Sequence, residues 1–204
     1  MKPKEIESLS FKIIDREAGD HGFSDSQWPI VKRMIHASAD FEYMETVRFH
    51  PRAVESGINA IRQGKPILTD TRMAQAGIRK EAVHRFGGSV ICLIDVQSVM
   101  KIAAKTGTTR AKVAVDEAID HMEGSIYVVG NAPTALIRLV ELAEQKRINP
   151  ALIVGFPVGF VNAAESKAAL MKLDIPYITN VGRKGGSSVA ASVVNALLHM
   201  AAQT

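Results

Sequence analysis

The segment Gly182-Arg183-Lys184-Gly185-Gly186-Ser187 carries the residue types of an anion site. Two adjacent glycines let the backbone approach a ligand closely, a serine can cap the following helix, and N–H groups at a helix start attract negative charge. Arg183 and Lys184 add fixed positive charge suited to carboxylates or phosphates. The same residues also describe a tight turn, a capped helix and two solvated bases. The spacing is not that of a Walker A phosphate loop, and no Gly-x-Gly-x-x-Gly follows a strand, so both nucleotide fingerprints are absent. Gly130-Asn131-Ala132-Pro133-Thr134 is a second turn of interest. Asn131 is expected to cap a helix with Pro133 in its first turn, and the small residues either leave room for a bulky ligand or simply connect two elements. Six histidines occur, His21, His36, His50, His84, His121 and His199, and none pairs with another at the i, i+4 spacing of a helical metal site. We therefore expect no metal site. His36, late in a helix and behind Arg33, is a candidate for proton transfer because an ordinary imidazole titrates near ~6.5. A structural or solvated histidine fits the same position. Thr109-Arg110 at one helix start and Glu165-Ser166-Lys167 in another unit are further polar groups, each equally explained by a cap or a salt bridge.

These groups need elements to hold them. Continuous apolar runs at 66–70, 89–95, 125–130, 151–155 and 176–179 read as short buried strands. Helical patterns lie among them. One opens at Ser24, with Gln27 at capping-box spacing, and reaches about His36. Others cover 51–64, 108–122, 133–146, 162–173 and 187–202. Strand–helix alternation predicts an α/β fold, a single-domain three-layer sandwich over residues 1–204 with a mostly parallel sheet and helices on both faces. In such sheets ligands bind at the carboxyl ends of the strands. Asp70, Asp95, the Gly130 turn, the segment after Gly155 and the Gly182 loop all fall there.

Composition narrows the class. The 204 residues are 47% hydrophobic and 23% charged, which suits one globular core. No apolar run is long enough to span a bilayer and the first residues are polar, so a cytoplasmic protein without membrane contact is expected. Cys92 is the only cysteine, which excludes an internal disulfide and a multi-cysteine zinc site, and its apolar strand suggests inert core. The net charge of +4 is spread out and aromatics are only 5%, which argues against nucleic acid and for an anionic small molecule.

Several of these segments, in this order, resemble one family, the precorrin-8X / cobalt-precorrin-8 methylmutases of cobalamin biosynthesis. The matching stretches are Arg33-Met34-Ile35-His36-Ala37, Gly130 to Leu136, Gly155 to Val161, Ala163-Ala164-Glu165-Ser166-Lys167 and Gly182 to Ser187. Ser10 to Ile14, the Asp70-x-x-Met73 pair and Thr109-Arg110 also match, so the resemblance runs from about residue 5 to 199. It implies an α/β homodimer with a large cleft near the subunit interface. The implied reaction moves a methyl group from C-11 to C-12 of the corrinoid ring of precorrin-8X or cobalt-precorrin-8, giving hydrogenobyrinate or cobyrinate, with no cofactor beyond any cobalt in the substrate. His36 is implied as the proton donor and acceptor. The implied substrate contacts are Ser10, Arg33, Asp70, Met73, Thr109, Arg110, Gly130, Asn131, Thr134, Glu165, Ser166, Lys167, Gly182, Arg183, Lys184, Gly185, Gly186 and Ser187. The chain departs from the family pattern at Ser38-Ala39-Asp40, where a small residue or threonine and then glycine are expected, at Arg72, where an acidic residue is common, and at Lys184, which replaces a frequent arginine. A corrinoid carrier without catalysis, and an α/β enzyme acting on another anionic metabolite such as a sugar phosphate, are the competing readings.

Overall fold

The computed structural model describes residues 2–203. A six-stranded sheet runs through the molecule: β1 (Val47–Phe49), β2 (Ile67–Thr69), β3 (Val90–Cys92), β4 (Ile126–Val129), β5 (Leu152–Gly155) and β6 (Tyr177–Asn180). Their order is β1-β6-β5-β4-β2-β3. All neighbours are parallel except β1 and β6, where Val47 faces Asn180 and Phe49 faces Ile178 in an antiparallel pair. The five expected strands are β2 to β6. The edge strand β1 has no counterpart in the sequence reading, because three residues with one exposed arginine carry no strand-like period.

Strand residues divide between two cores according to the pleat. Ile67, Ile126, Val128, Leu152, Val154 and Ile178 pack under α2 (Trp28–Ser38), α4 (Ala53–Arg62) and α11 (Ser187–Ala201). Leu68, Tyr127, Val129 and Ile153 pack under α8 (Arg110–Glu117), α9 (Pro133–Glu144) and α10 (Ala163–Leu170). Both faces are thus covered, as continuous apolar strands require. The Ser24–Gln27 box forms as expected, with Gln27 N–H donating to Ser24 Oγ and Ser24 N–H to Gln27 Oε1, both at 3.3 Å, and the α-helix proper starts one residue later. The expected 108–122 helix breaks into α8 and a short 3-10 turn, Ile119–His121. Further helices are α1 (Pro3–Ala18), α3 (Tyr43–Thr46), α5 (Arg72–Gly77), α6 (Lys80–Arg85) and α7 (Gln97–Thr106). α1 is missing from the sequence reading since it is mostly exposed; among its described residues only Ile14 is buried, so it shows no apolar stripe of the usual width.

Strand order gives the place where a ligand fits. From β2 the chain goes outward to β3 and then returns across β2 to start β4, β5 and β6. The connections leave in opposite directions from the gap between β2 and β4, which is where a crevice opens at the carboxyl ends of a parallel sheet.

Candidate functional site

Asp70 stands at that gap. It is fully buried directly after β2, and its carboxylate accepts three backbone N–H groups of the turn after β4: Gly130 at 2.9 Å, Asn131 at 2.9 Å and Ala132 at 2.8 Å. Burial raises its pKa, and the three N–H bonds oppose that. Asp70 therefore does the work expected of Asn131. The helix cap of α9 is Ala132, which has no side-chain oxygen, and its N–H is satisfied across the gap by Asp70. Asp70 is a brace between strands, its oxygens buried and engaged by these N–H groups, and Asn131 is left exposed on the rim. Replacing Asp70 with alanine strands these N–H groups, Gly130's in a fully buried place. We expect the variant to be destabilised by about 2–4 kcal/mol, read as a shift in the urea midpoint at unchanged slope.

The turn so held presses on the next element. A Cβ at Gly130 would lie 2.7 Å from Ser187 Cα, so only glycine lets β4 end against the start of α11. Ser187 is also not the cap foreseen. Gly186 takes the cap position with φ 123°, and Ser187 Oγ instead meets Thr71 Oγ1 at 3.0 Å. A positive φ of this size is open to glycine and costly for other residues, which explains the second glycine of the pair. The first has a steric reason. A Cβ on Gly185 would come within 2.7 Å of Pro157 O and closer still to Phe156 O. The Gly182–Gly186 loop thus lies flat on the segment after β5, tied by Gly186 N–H to Phe156 O at 2.9 Å and Gly159 N–H to Arg183 O at 3.2 Å.

The charges on this loop go to different uses. Lys184 Nζ pairs with Asp40 Oδ2 at 2.6 Å and Glu42 Oε2 at 2.7 Å, which raises the pKa of Lys184 and lowers that of Asp40. The unusual segment at 38–40 is therefore engaged with the loop. Ala39 closes α2 in the left-handed region, φ 54°, where the glycine of the family pattern would be at ease. Arg183 keeps its guanidinium outward, stacked 5.5 Å from the ring of Phe160. Phe160, Val161 and Met73 are 85%, 76% and 76% exposed. Large apolar side chains beside cationic groups on one rim suit a wide, partly apolar anion.

Across the rim, Thr109 caps α8 by accepting Lys112 N–H at 3.2 Å, and its hydroxyl meets Thr134 at 2.8 Å. Arg110 follows it, exposed and without an ion pair among the described residues. Arg72 is engaged: it clasps Asp95 with two nitrogens and Gln75 with a third, holding the Asp95 carboxyl below its usual range. Two expected contacts on α10 are internal. Ser166 is buried and donates to Ala163 O at 3.0 Å, and Lys167 is fully buried beneath the Gly182 loop. A helix whose first turn has one exposed polar face and one buried face divides Glu165, which is exposed, from these two.

His36 reaches the site from the other layer. It lies in the last turn of α2, which packs along α11, and lines a cleft of about 280 Å³ with Arg33, Ala37, Gly77, Ser188, Ala191, Ser192 and Asn195. Ser188 is the residue after the glycine loop's serine, so the histidine sits beside the first turn of α11. Its exposed ring meets Phe11 of α1 at 5.0 Å between centroids, tilted by 56°. Arg33 lies 5.2 Å over the same Phe11 ring and pairs with Glu7 at 3.3 Å. Ser10, next to Phe11, donates to Ile6 O within its own helix at 2.9 Å. Phe11, Thr71 and Phe160 are absent from the sequence reading of the site. Phe160-Val161 carried a usable signal, being an apolar pair in a loop; Phe11 and Thr71 carried none. Grooves of about 540 and 620 Å³ lie elsewhere, along Ala76–Arg85 and between Ser24 and Arg62. Among the described residues no cluster of three or more His, Cys, Asp or Glu side chains could hold a metal ion, and no helix is long and apolar enough to cross a membrane.

This arrangement has known counterparts. The family profile of precorrin-8X methylmutase matches residues 5–200. A cobalt-precorrin-8 methylmutase of Priestia megaterium is 46% identical over 97% of this chain and 88% of its own length. A precorrin-8X methylmutase of Pseudomonas aeruginosa is 40% identical over 92% of this chain and 91% of its own. The crystal structure of the precorrin-8X methyl mutase from Thermus thermophilus superposes with a TM-score of 0.91 at 47% identity, covering 98% of this chain and 97% of that one. With the switch-point brace, the glycine loop and the α2 histidine all in place, the chain belongs to the precorrin-8X methylmutase family.

Proposed function

We propose that this chain is an isomerase of corrin biosynthesis that moves the methyl group of precorrin-8X, or of its cobalt form, from C-11 to C-12, with His36 as the proton donor and acceptor. The observation that carries this reading is the position of His36. An exposed imidazole opens into a cleft beside the first turn of α11, the helix that follows the glycine loop and its outward Arg183 guanidinium. The substrate is a broad tetrapyrrole fringed with acetates and propionates. Dispersed cations and exposed N–H groups hold such a fringe better than one phosphate cradle would, each charge-assisted bond adding roughly 1.5–3 kcal/mol. Phe160, Val161 and Met73 offer apolar surface to the ring. A proton placed on, or hydrogen-bonded to, a ring nitrogen draws electrons away from the migrating carbon's bond, and His36 takes the proton back after migration. The shift is intramolecular and redox-neutral, so it uses no electron carrier, and any cobalt belongs to the substrate.

The cleft of about 280 Å³ lies below the ~300–1,000 Å³ that encloses a drug-sized ligand, and a tetrapyrrole is larger still. We read the exposed apolar rim and this shallow cleft as half of a site that a second copy of the chain completes, in a homodimer. The test is anaerobic incubation with precorrin-8X and, separately, with its cobalt form, followed by visible spectra and mass spectrometry. A changed chromophore at unchanged mass is expected, and the faster form identifies the natural substrate. A ligand that binds and stays unchanged would leave a carrier and remove the catalytic reading.

A further inference from the structure

We infer that Lys167 is a positioning residue for this reaction, whose ammonium holds the Gly182–Gly186 loop in its working shape from beneath and never touches the substrate. The inference rests on the proposed function only in that the loop is taken to hold the corrinoid fringe. Lys167 lies in the second turn of α10, three residues before Leu170, and is fully buried. Its Nζ has three protons and three acceptors: Asn180 Oδ1 at 2.9 Å, Gly182 O at 3.0 Å and Lys184 O. All three donors are therefore engaged inside the protein, and none remains for a ligand. The acceptors are the last residue of β6 and two loop carbonyls two residues apart. Asn180 joins them, donating through Nδ2 to Val181 O at 3.2 Å and Lys184 O at 3.0 Å. A loop rich in glycine has little of its own to hold a shape, and these bonds turn its carbonyls inward. The Arg183 guanidinium is then presented outward.

An ammonium buried without a carboxylate is uncommon and costly. Among the described residues no charged side chain pairs with it. On its own helix Glu165 is exposed; on the loop Arg183 faces Phe160 and Lys184 is held by Asp40 and Glu42. On the adjoining α9, Arg138 is paired with Asp116 and Glu141. β6 contributes only Tyr177, Thr179 and Asn180 as polar groups. Burial alone accordingly lowers the pKa of Lys167 to about 8. When the ammonium loses a proton, two donors face three acceptors, and one of the bonds that pin the loop to Lys167 and Asn180 is lost. Loop order, and with it the KM for the corrinoid, should then depend on pH in the mildly alkaline range, while kcat should not.

The experiment has two arms on the full chain. Nζ of lysine is followed by nitrogen-15 NMR from pH 6 to 10, and steady-state kinetics with the corrinoid are run over the same range. A slowly exchanging ammonium with a midpoint about 8 and a KM rising about tenfold through that midpoint, at a kcat changing less than about threefold, is the expected result. Lys167→Met, if folded by circular dichroism, should show the high KM at every pH and no alkaline limb. A flat KM while Lys167 titrates, or a folded Lys167→Met with unchanged KM, overturns the inference. A chain that converts no corrinoid at any pH fails the proposed function instead, and the NMR arm still reports whether Lys167 holds the loop.

Discussion

His36→Asn is expected to lower kcat by about 10²–10⁴, the usual worth of a general acid, with corrinoid binding nearly intact. Asparagine keeps a polar planar group of similar reach but cannot carry the proton. The position favours a clean result. His36 is exposed in the last turn of α2, makes no side-chain hydrogen bond among the described residues, and meets the tilted Phe11 ring. Surface changes of this kind shift stability by no more than about 0.5 kcal/mol. Lost turnover would then be lost chemistry. Single-turnover spectra with a separate binding titration check it: a kcat within about tenfold of the parent would remove His36 from the proton-transfer role.

Gly185→Ala should harm both stability and turnover. The added methyl would meet the backbone carbonyls of Phe156 and Pro157, the latter at 2.7 Å. Neither can swing away as a side chain would, since both belong to the segment after β5, so the loop must lift. Lifting it loosens Gly186 N–H from Phe156 O and Gly159 N–H from Arg183 O. Overpacking of this sort costs about 1–3 kcal/mol, which for a chain of this size lowers Tm by roughly 2–12 °C. Displacement of a substrate-holding loop by about 1 Å costs on the order of 10²-fold in kcat/KM. Gly107→Ala is the control. Gly107 ends α7 at φ 67° with nothing near its would-be Cβ, so alanine there costs about 1 kcal/mol of backbone strain and leaves turnover alone. Equal turnover losses in the two variants would mean that Gly185 acts through global stability.

Much of the architecture was legible because it is local. Apolar runs at 66–70, 125–130 and 151–155 are β2, β4 and β5, and the amphipathic pattern behind Ser24 is α2 with His36 in its last turn. Within the site, the misreadings centre on polar side chains whose roles are decided by groups elsewhere in the fold. Asn131 and Ser187 each had the spacing of a cap, and in both cases another group took the position. Asp70, 60 residues from Gly130, satisfies the turn, and Gly186 relieves Ser187 to meet Thr71. Lys184 had the look of a rim cation until Asp40 and Glu42, more than 140 residues earlier, drew it aside.

By itself, then, the amino-acid sequence determined the fold class, the elements that bear the rim residues, and the family. Those properties follow from hydrophobic period, glycine placement and motif order, all of which are one-dimensional. Tertiary structure alone decided which polar residues look outward. Lys167 and Glu165 stand two positions apart on one helix turn, yet one is buried under a loop and the other exposed, because β6 and the Gly182 loop cover only one side of α10. It also decided that β1 would close the sheet edge by pairing with β6. The direction of a side chain is set by what packs over it, and for these residues that partner comes from elsewhere in the chain.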